Sequence, residues 1–263
     1  MSSLHSLRFV LPLVLCSALS GCVGTTGGDL LQVDAAAAGP EDAAGSLSFQ
    51  NGLGYQVELT KAHIFVGGVY LNRSRPNSVA SDTSCSLPGI YVAQVLGGLE
   101  VDLLSARPQA FPERGFATSE RALTGEVWLS PGDVNADASE TTVLGVAGTA
   151  TRNGRSFPFE GELSIGENRV VAPTDPSLPG QHPICKQRVV SPIPLDLTPK
   201  SSGSLLLRID PRGIFGNVDF ATLTDDGGSF RFADESGVDQ ASDNLYAGLR
   251  RATGVYRLSW EAP

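Results

Sequence analysis

Short alternating segments separated by turn residues set the strongest limit on what this chain can become. Leu47 and Phe49, then Tyr55, Val57 and Leu59, place an apolar side chain at every second position on either side of Asn51-Gly52. A period of two belongs to a half-buried strand, and Asn-Gly is a hairpin signal. Similar stretches recur at 64–71, 91–96, 99–104, 122–129, 142–151, 155–165, 189–197, 205–209 and 255–260. The 30 glycines and 17 prolines suit many strands joined by turns. No long amphipathic helix separates successive strands, so a parallel α/β sheet is disfavoured. The pattern predicts an all-β protein, an antiparallel β-sandwich of nine or ten strands with one short C-terminal helix.

Several local features sharpen that expectation. Gly67-Gly68 breaks the alternation and predicts a bulge or kink. Gly97-Gly98 reads as a turn between two strands, and Asn153-Gly154 as the best hairpin turn in the chain. Pro192 and Pro194 carry no amide proton for a ladder, which confines 189–197 to a sheet edge or an irregular arm. Leu245, Tyr246 and Leu249 stand at helical spacing behind Asp243 or Ser242 as the cap, with Gly254 as the stop. Arg250-Arg251 at that helix end complements its dipole. Asp225-Asp226-Gly227-Gly228 reads as a plain acidic turn.

The first residues have a different character. Arg8 supplies one positive charge, 9–19 form an apolar run, and Leu19-Ser20-Gly21-Cys22 closes it with small residues and a cysteine. An apolar run of about eleven residues is too short to span a bilayer as a helix, which takes roughly 20. The four closing residues match a lipobox, and the chain resembles a bacterial lipoprotein. That resemblance implies a signal peptide over 1–21, acylation of Cys22 and a stable membrane anchor without a transmembrane helix. The alternative is an ordinary secretory peptide cut near Ala18 or Gly21. Val23 stands where an inner-membrane retention signal usually has Asp, so the resemblance implies passage to the outer membrane of a Gram-negative cell envelope. Residues 22–45, rich in Ala, Gly and Asp, read as a flexible tether, and 46–263 as the β-sandwich domain. The stretch 55–71, with Val101-Asp102-Leu103-Leu104, also looks similar to the uncharacterised β-sandwich domains common in bacterial lipoproteins.

With Cys16 in the signal peptide and Cys22 acylated, Cys85 and Cys185 remain in an oxidising compartment, and a disulfide between them is expected. It would close a loop of about 100 residues, which the chain-entropy model values at roughly 4 to 5 kcal/mol. The formal net charge of −9 leaves no basic stripe for nucleic acid. Membrane attachment is therefore assigned to lipidated Cys22, and any further partner would be a protein or a glycan.

Residues that might carry chemistry are sparse. Asp133, Asn135 and Asp137 are oxygen ligands at alternate positions, resembling the opening of an EF-hand or dockerin calcium loop. Ala138 occupies the place of the turning Gly and Leu144 that of the bidentate Glu, so no metal is expected there. His63 and His182 show no ligand spacing for zinc or copper. No Gly-x-Ser-x-Gly, Ser-x-x-Lys or His-Glu-x-x-His pattern is present. Glu58, Asp102, Glu126, Glu160 and Glu162 lie on or near strands and could in principle hold a glycosidase pair. Glu160 and Glu162 are better explained as a solvated strand face. The sequence thus leads to a lipid-anchored, non-enzymatic binding or structural module with no cofactor. The alternatives are an envelope polysaccharide or peptide hydrolase using strand-end carboxylates, and a calcium-dependent adhesion module.

Overall fold

The computed structural model describes residues 30–74, 89–130, 141–169 and 184–263. Cys22, Cys85, Asp133, Asn135, Asp137 and His182 lie outside these described residues. Sixteen strands are present among them. In chain order they begin with β1 (Leu31–Ala38), β2 (Leu47–Gln50), β3 (Gln56–Val66), β4 (Gly68–Asn72) and β5 (Tyr91–Val95). Next come β6 (Leu99–Asp102), β7 (Gln109–Ala110), β8 (Gly115–Ala117), β9 (Ala122–Trp128), β10 (Leu144–Arg152) and β11 (Arg155–Leu163). The last are β12 (Val189–Leu197), β13 (Ser204–Ile209), β14 (Thr224–Asp226), β15 (Ser229–Phe232) and β16 (Tyr256–Glu261). Three short helices accompany them, α1 (Ile184–Arg188), α2 (Pro211–Ile214) and α3 (Gln240–Leu249).

The strands build two sheets over one shared apolar core. The first runs β12-β9-β4-β5-β8-β1-β13-β16, with β7 also on β1, and the second runs β14-β15-β11-β10-β3-β2, with β6 also on β3. The first sheet curls until its two end strands, β12 and β16, lie against each other. Gly125 on β9 makes that approach possible, because a side chain there would overlap Leu258 of β16. The all-β expectation therefore holds.

Its antiparallel detail does not. β1 pairs with β13 in parallel, Asp34 opposite Ser204, and β11 pairs in parallel with β15. Neither pair is joined by a hairpin, so no tight turn dictates strand direction, and long intervening connections deliver the partner in the same sense. The count also exceeds nine or ten, because segments of two to four residues such as β7, β8 and β14 are too short to show alternation.

The tether assignment over 22–45 is corrected from residue 31 onward. Leu31–Ala38 is an interior strand of the first sheet, paired to β8 and β7 on one side and β13 on the other, with Ala37 and Ala38 fully buried. Alanine is compatible with that place because small side chains let a strand sit under close neighbours. The domain consequently begins before residue 46.

Glycines decide where the chain bends. β3 keeps Val57 and Leu59 inward, then changes phase at Thr60 so that Ala62, Ile64 and Val66 also point inward. A bulge opposite Ala147 and Gly148 absorbs the extra residue. At Gly67 the chain leaves the second sheet and enters the first, donating its amide to the Trp128 carbonyl at 2.7 Å. Any Cβ there would overlap the Ser130 carbonyl. Gly97-Gly98 does the same in reverse, so it links β5 of one sheet to β6 of the other and makes no hairpin. Asn153-Gly154 is a true hairpin turn, both residues having positive φ of 52° and 75°.

β12 lies at the sheet edge that its prolines required. The cap of α3 is Asp239, whose carboxylate accepts the Ser242 amide at 2.7 Å. Ser242 is instead buried, its hydroxyl donating to Asp239 and accepting the Ala233 amide at 2.8 Å.

Candidate functional site

The outer face of the first sheet carries Glu126, the one fully buried carboxylate among the described residues. β4 and β9 pair antiparallel with Tyr70 opposite Glu126 and Gly68 opposite Trp128. Val69, Leu71 and Val127 point into the core. Alternation therefore sends Tyr70, Asn72, Glu126 and Trp128 to the other face. Tyr91 of β5 stands beside Asn72 in the register. The three rings meet there, Tyr70 lying 4.5 Å from Trp128 and 5.3 Å from Tyr91 between centroids.

Glu126 is completely shielded from solvent, at 0% exposure. Asn72 Nδ2 donates to its Oε1 at 2.7 Å, and the Tyr91 hydroxyl donates to Oε2 at 3.3 Å. The Trp128 indole and Ser191 hydroxyl also favour the ionised carboxyl, although neither completes a bond of ordinary geometry. Burial outweighs these donors and pushes the Glu126 pKa up. The same burial, with the neighbouring Glu126 charge, pushes the Tyr70 and Tyr91 hydroxyls up as well. Among the described residues, no Lys, Arg or His pairs with Glu126. The amide oxygen of Asn72 is likewise buried without a partner.

Tyr70 and Trp128 also form one wall of a cleft that encloses about 510 Å³. Phe65, Gly97, Gly98 and Leu96 line the rest of it. The sheet-crossing at Gly67 creates this arrangement, because it places Phe65 at the end of β3 and Tyr70 at the start of β4 around one opening. Gly98 has a φ of 62° and sits against the Phe65 ring, so a side chain there would be strained and would push into that ring.

A second cleft, of about 680 Å³, lies between residues 40–42 and the β13 and β16 strands. Arg212 bridges Asp42 and Asp210 at 2.9 Å each, and Arg257 meets Glu41 at 2.7 Å. Arg208 is shared between Glu41 at 3.6 Å and the Gly39 carbonyl at 3.0 Å. Hydrogen bonding to Arg212 pulls the Asp42 carboxyl below its usual range. Each acid lining this cleft therefore has a guanidinium partner.

The five strand carboxylates separate clearly. Glu58 is exposed. Asp102 accepts the Leu104 amide in a turn, while Glu160 pairs with Arg231 and Glu162 with Lys61 on the surface. No second carboxylate is among the groups that act on Glu126. His63 stands 3.7 Å from Glu100 on an exposed strand face. Asp225 accepts the Gly228 amide in a plain hairpin turn. Cys185 is buried at 2% exposure in α1. Tyr70, Asn72, Tyr91 and Trp128 were not singled out by the sequence. No protein-family model, curated protein or solved structure matches the chain.

Proposed function

We propose that this chain is a lipid-anchored cell-envelope binding module, held to the membrane through acylated Cys22 and binding its ligand in the cleft walled by Phe65, Tyr70 and Trp128. The observation that carries the reading is the cleft itself, a ligand-sized apolar concavity with a few convergent polar groups and a carboxyl of perturbed pKa behind one wall. A hydrolase reading would put Glu126 to work as a general acid. Retaining and inverting glycosidases both need a partner carboxyl about 5 to 10 Å away, and the groups acting on Glu126 are neutral donors. A non-enzymatic role fits that surrounding better. The same reading pairs Cys85 with Cys185, an arrangement suited to an extracytoplasmic protein and compatible with the burial of Cys185.

Expression of the full chain in a Gram-negative host tests both halves. Palmitate should label the wild type and not Cys22→Ser, and only the wild type should partition into the detergent phase. Trp128→Leu should retain the label while releasing whatever envelope component co-purifies with the wild type. Unchanged labelling of Cys22→Ser, or a co-purifying component indifferent to Trp128, would overturn the corresponding half.

A further inference from the structure

We infer that the aromatic cleft takes an organic cation, an alkylammonium group held against ring faces. This rests on the cleft being the binding site and goes on to the chemistry of its ligand. The walls set the first condition. Phe65, Tyr70 and Trp128 bring three aromatic rings to the lining, the glycines bring backbone, and Ser130 is the lining residue with an aliphatic hydroxyl. A sugar or a peptide is recognised through many directional hydrogen bonds, for which this lining has few groups. A methylated ammonium needs none, because its positive charge is attracted by the negative face of an aromatic ring.

Charge sets the second condition independently. Glu126 lies behind the wall made by Tyr70 and Trp128, completely removed from water, with neutral donors and no cation among the described residues that act on it. A buried carboxylate without a counter-ion is costly, and a cation nearby offsets part of that cost. Among the described lining residues there is no Lys, Arg or His. The field of Glu126 reaches the cleft through the Tyr70 ring, opposite it in the ladder. An anionic ligand would meet that field and a chain of net charge −9 with the wrong sign. A neutral apolar ligand would fill the cleft yet leave the carboxylate unpaired.

The test uses the full chain as Cys22→Ser, so that lipid partitioning cannot be confused with the anchor. Calorimetry is run with tetramethylammonium, with choline and with 3,3-dimethylbutanol, the neutral isostere of choline. Choline should bind about tenfold or more tightly than the alcohol, the size of effect that a desolvated cation–π contact supplies. Tyr70→Leu and Trp128→Leu should abolish binding, Tyr70→Phe should keep it, and Glu126→Gln should erase the preference for the cation. Circular dichroism melts confirm that each variant is folded. Sedimentation with phosphatidylcholine and with phosphatidylglycerol vesicles separates the two sources of the group. Selective binding to the former assigns a lipid headgroup, and choline binding without vesicle binding assigns a free ammonium ligand. Equal affinity for choline and its isostere would overturn the inference while leaving the cleft as a site. Trp128-dependent binding of a neutral oligosaccharide in place of the cations would do the same. Failure of every ligand to depend on Trp128 would also remove the proposed function.

Discussion

Two clefts of this protein differ in how they treat charge. The larger one, between residues 40–42 and the β13 and β16 strands, is lined by acids and arginines that neutralise one another, down to the bridging of Arg212 between Asp42 and Asp210. The smaller one is walled by rings and backed by a carboxylate that four neutral donors surround and no described cation answers. Size alone would favour the first as a ligand site. Charge bookkeeping reverses that ranking, because a cleft whose charges are satisfied internally gains little from a ligand, while the second has unmatched potential. The paired cleft fastens residues 40–42 to the strands beneath them, which fits the place of β1 inside the sheet.

That contrast can be broken or sharpened by a graded set of substitutions. The largest effect is expected at Gly67, whose Cβ would overlap the Ser130 carbonyl at the crossing that shapes the aromatic cleft. Gly67→Ala should cost about 3 kcal/mol in urea unfolding, at the upper end of overpacking, and a neutral result would show that the crossing is pliable. Trp128→Ala, at a half-buried ring packed on Tyr70, should cost about 2 to 3 kcal/mol, less than a fully buried tryptophan.

Glu126→Leu should cost about 1 to 3 kcal/mol, since it leaves Asn72 Nδ2 and the Tyr91 hydroxyl with no acceptor. Glu126→Gln keeps an acceptor oxygen and sheds the buried charge, so its cost should be smaller. At the other cleft, Arg257→Ala removes an exposed pair with Glu41 and should cost under about 1 kcal/mol. A larger loss there would mean that the polar cleft holds the fold together more than its exposure suggests.

pH separates the two clefts by sign. The Glu126 pKa is raised in the fold from an ordinary 4.5, so its contribution to stability is fully present below that value and is lost as pH rises through the raised one. The Asp42 pKa is lowered from an ordinary 3.8, so its contribution is present above that value and is lost as pH falls below it. Urea titrations across pH 3 to 8 should show the upper loss flattened by Glu126→Gln and the acid loss reduced by Asp42→Asn. A Glu126→Gln curve parallel to wild type would contradict the burial of that charge.

Much of the architecture was readable where local chemistry decides it. Pro192 and Pro194 cannot donate to a ladder, and β12 is an edge. Asn153-Gly154 accepts positive φ, and β10 and β11 form a hairpin. The run 31–38 was misread because Leu-Gln-Val-Asp-Ala-Ala-Ala-Ala offers little amphipathic contrast. What makes it a strand is the pairing with β13, a partner far away in sequence. Direction in the parallel pairs was hidden for the same reason.

Glu126 was visible only as one of five strand carboxylates. Its neighbours Gly125 and Val127 suggest an ordinary outward-facing position, and nothing within 122–128 announces that Tyr91 and Asn72 will cover it. The available signal was cross-strand and polar-aromatic. Tyr-x-Asn at 70–72 and Glu-x-Trp at 126–128 place two rings, an amide and a carboxyl on one face once β4 and β9 are paired. That pairing is a tertiary fact.

The most direct test of the central claim is the pH dependence of tetramethylammonium affinity in the wild type and in Glu126→Gln. The titratable groups that act on Glu126 among the described residues are the Tyr70 and Tyr91 hydroxyls, both raised above their usual range and therefore neutral below pH 8, so a slope that Glu126→Gln removes reports the carboxyl. Wild-type affinity should strengthen as pH rises through the raised Glu126 pKa and level off above it, while the variant binds weakly and without slope. Equal, pH-independent affinity in both proteins would contradict the claim that an unpaired buried carboxylate makes this cleft a cation site.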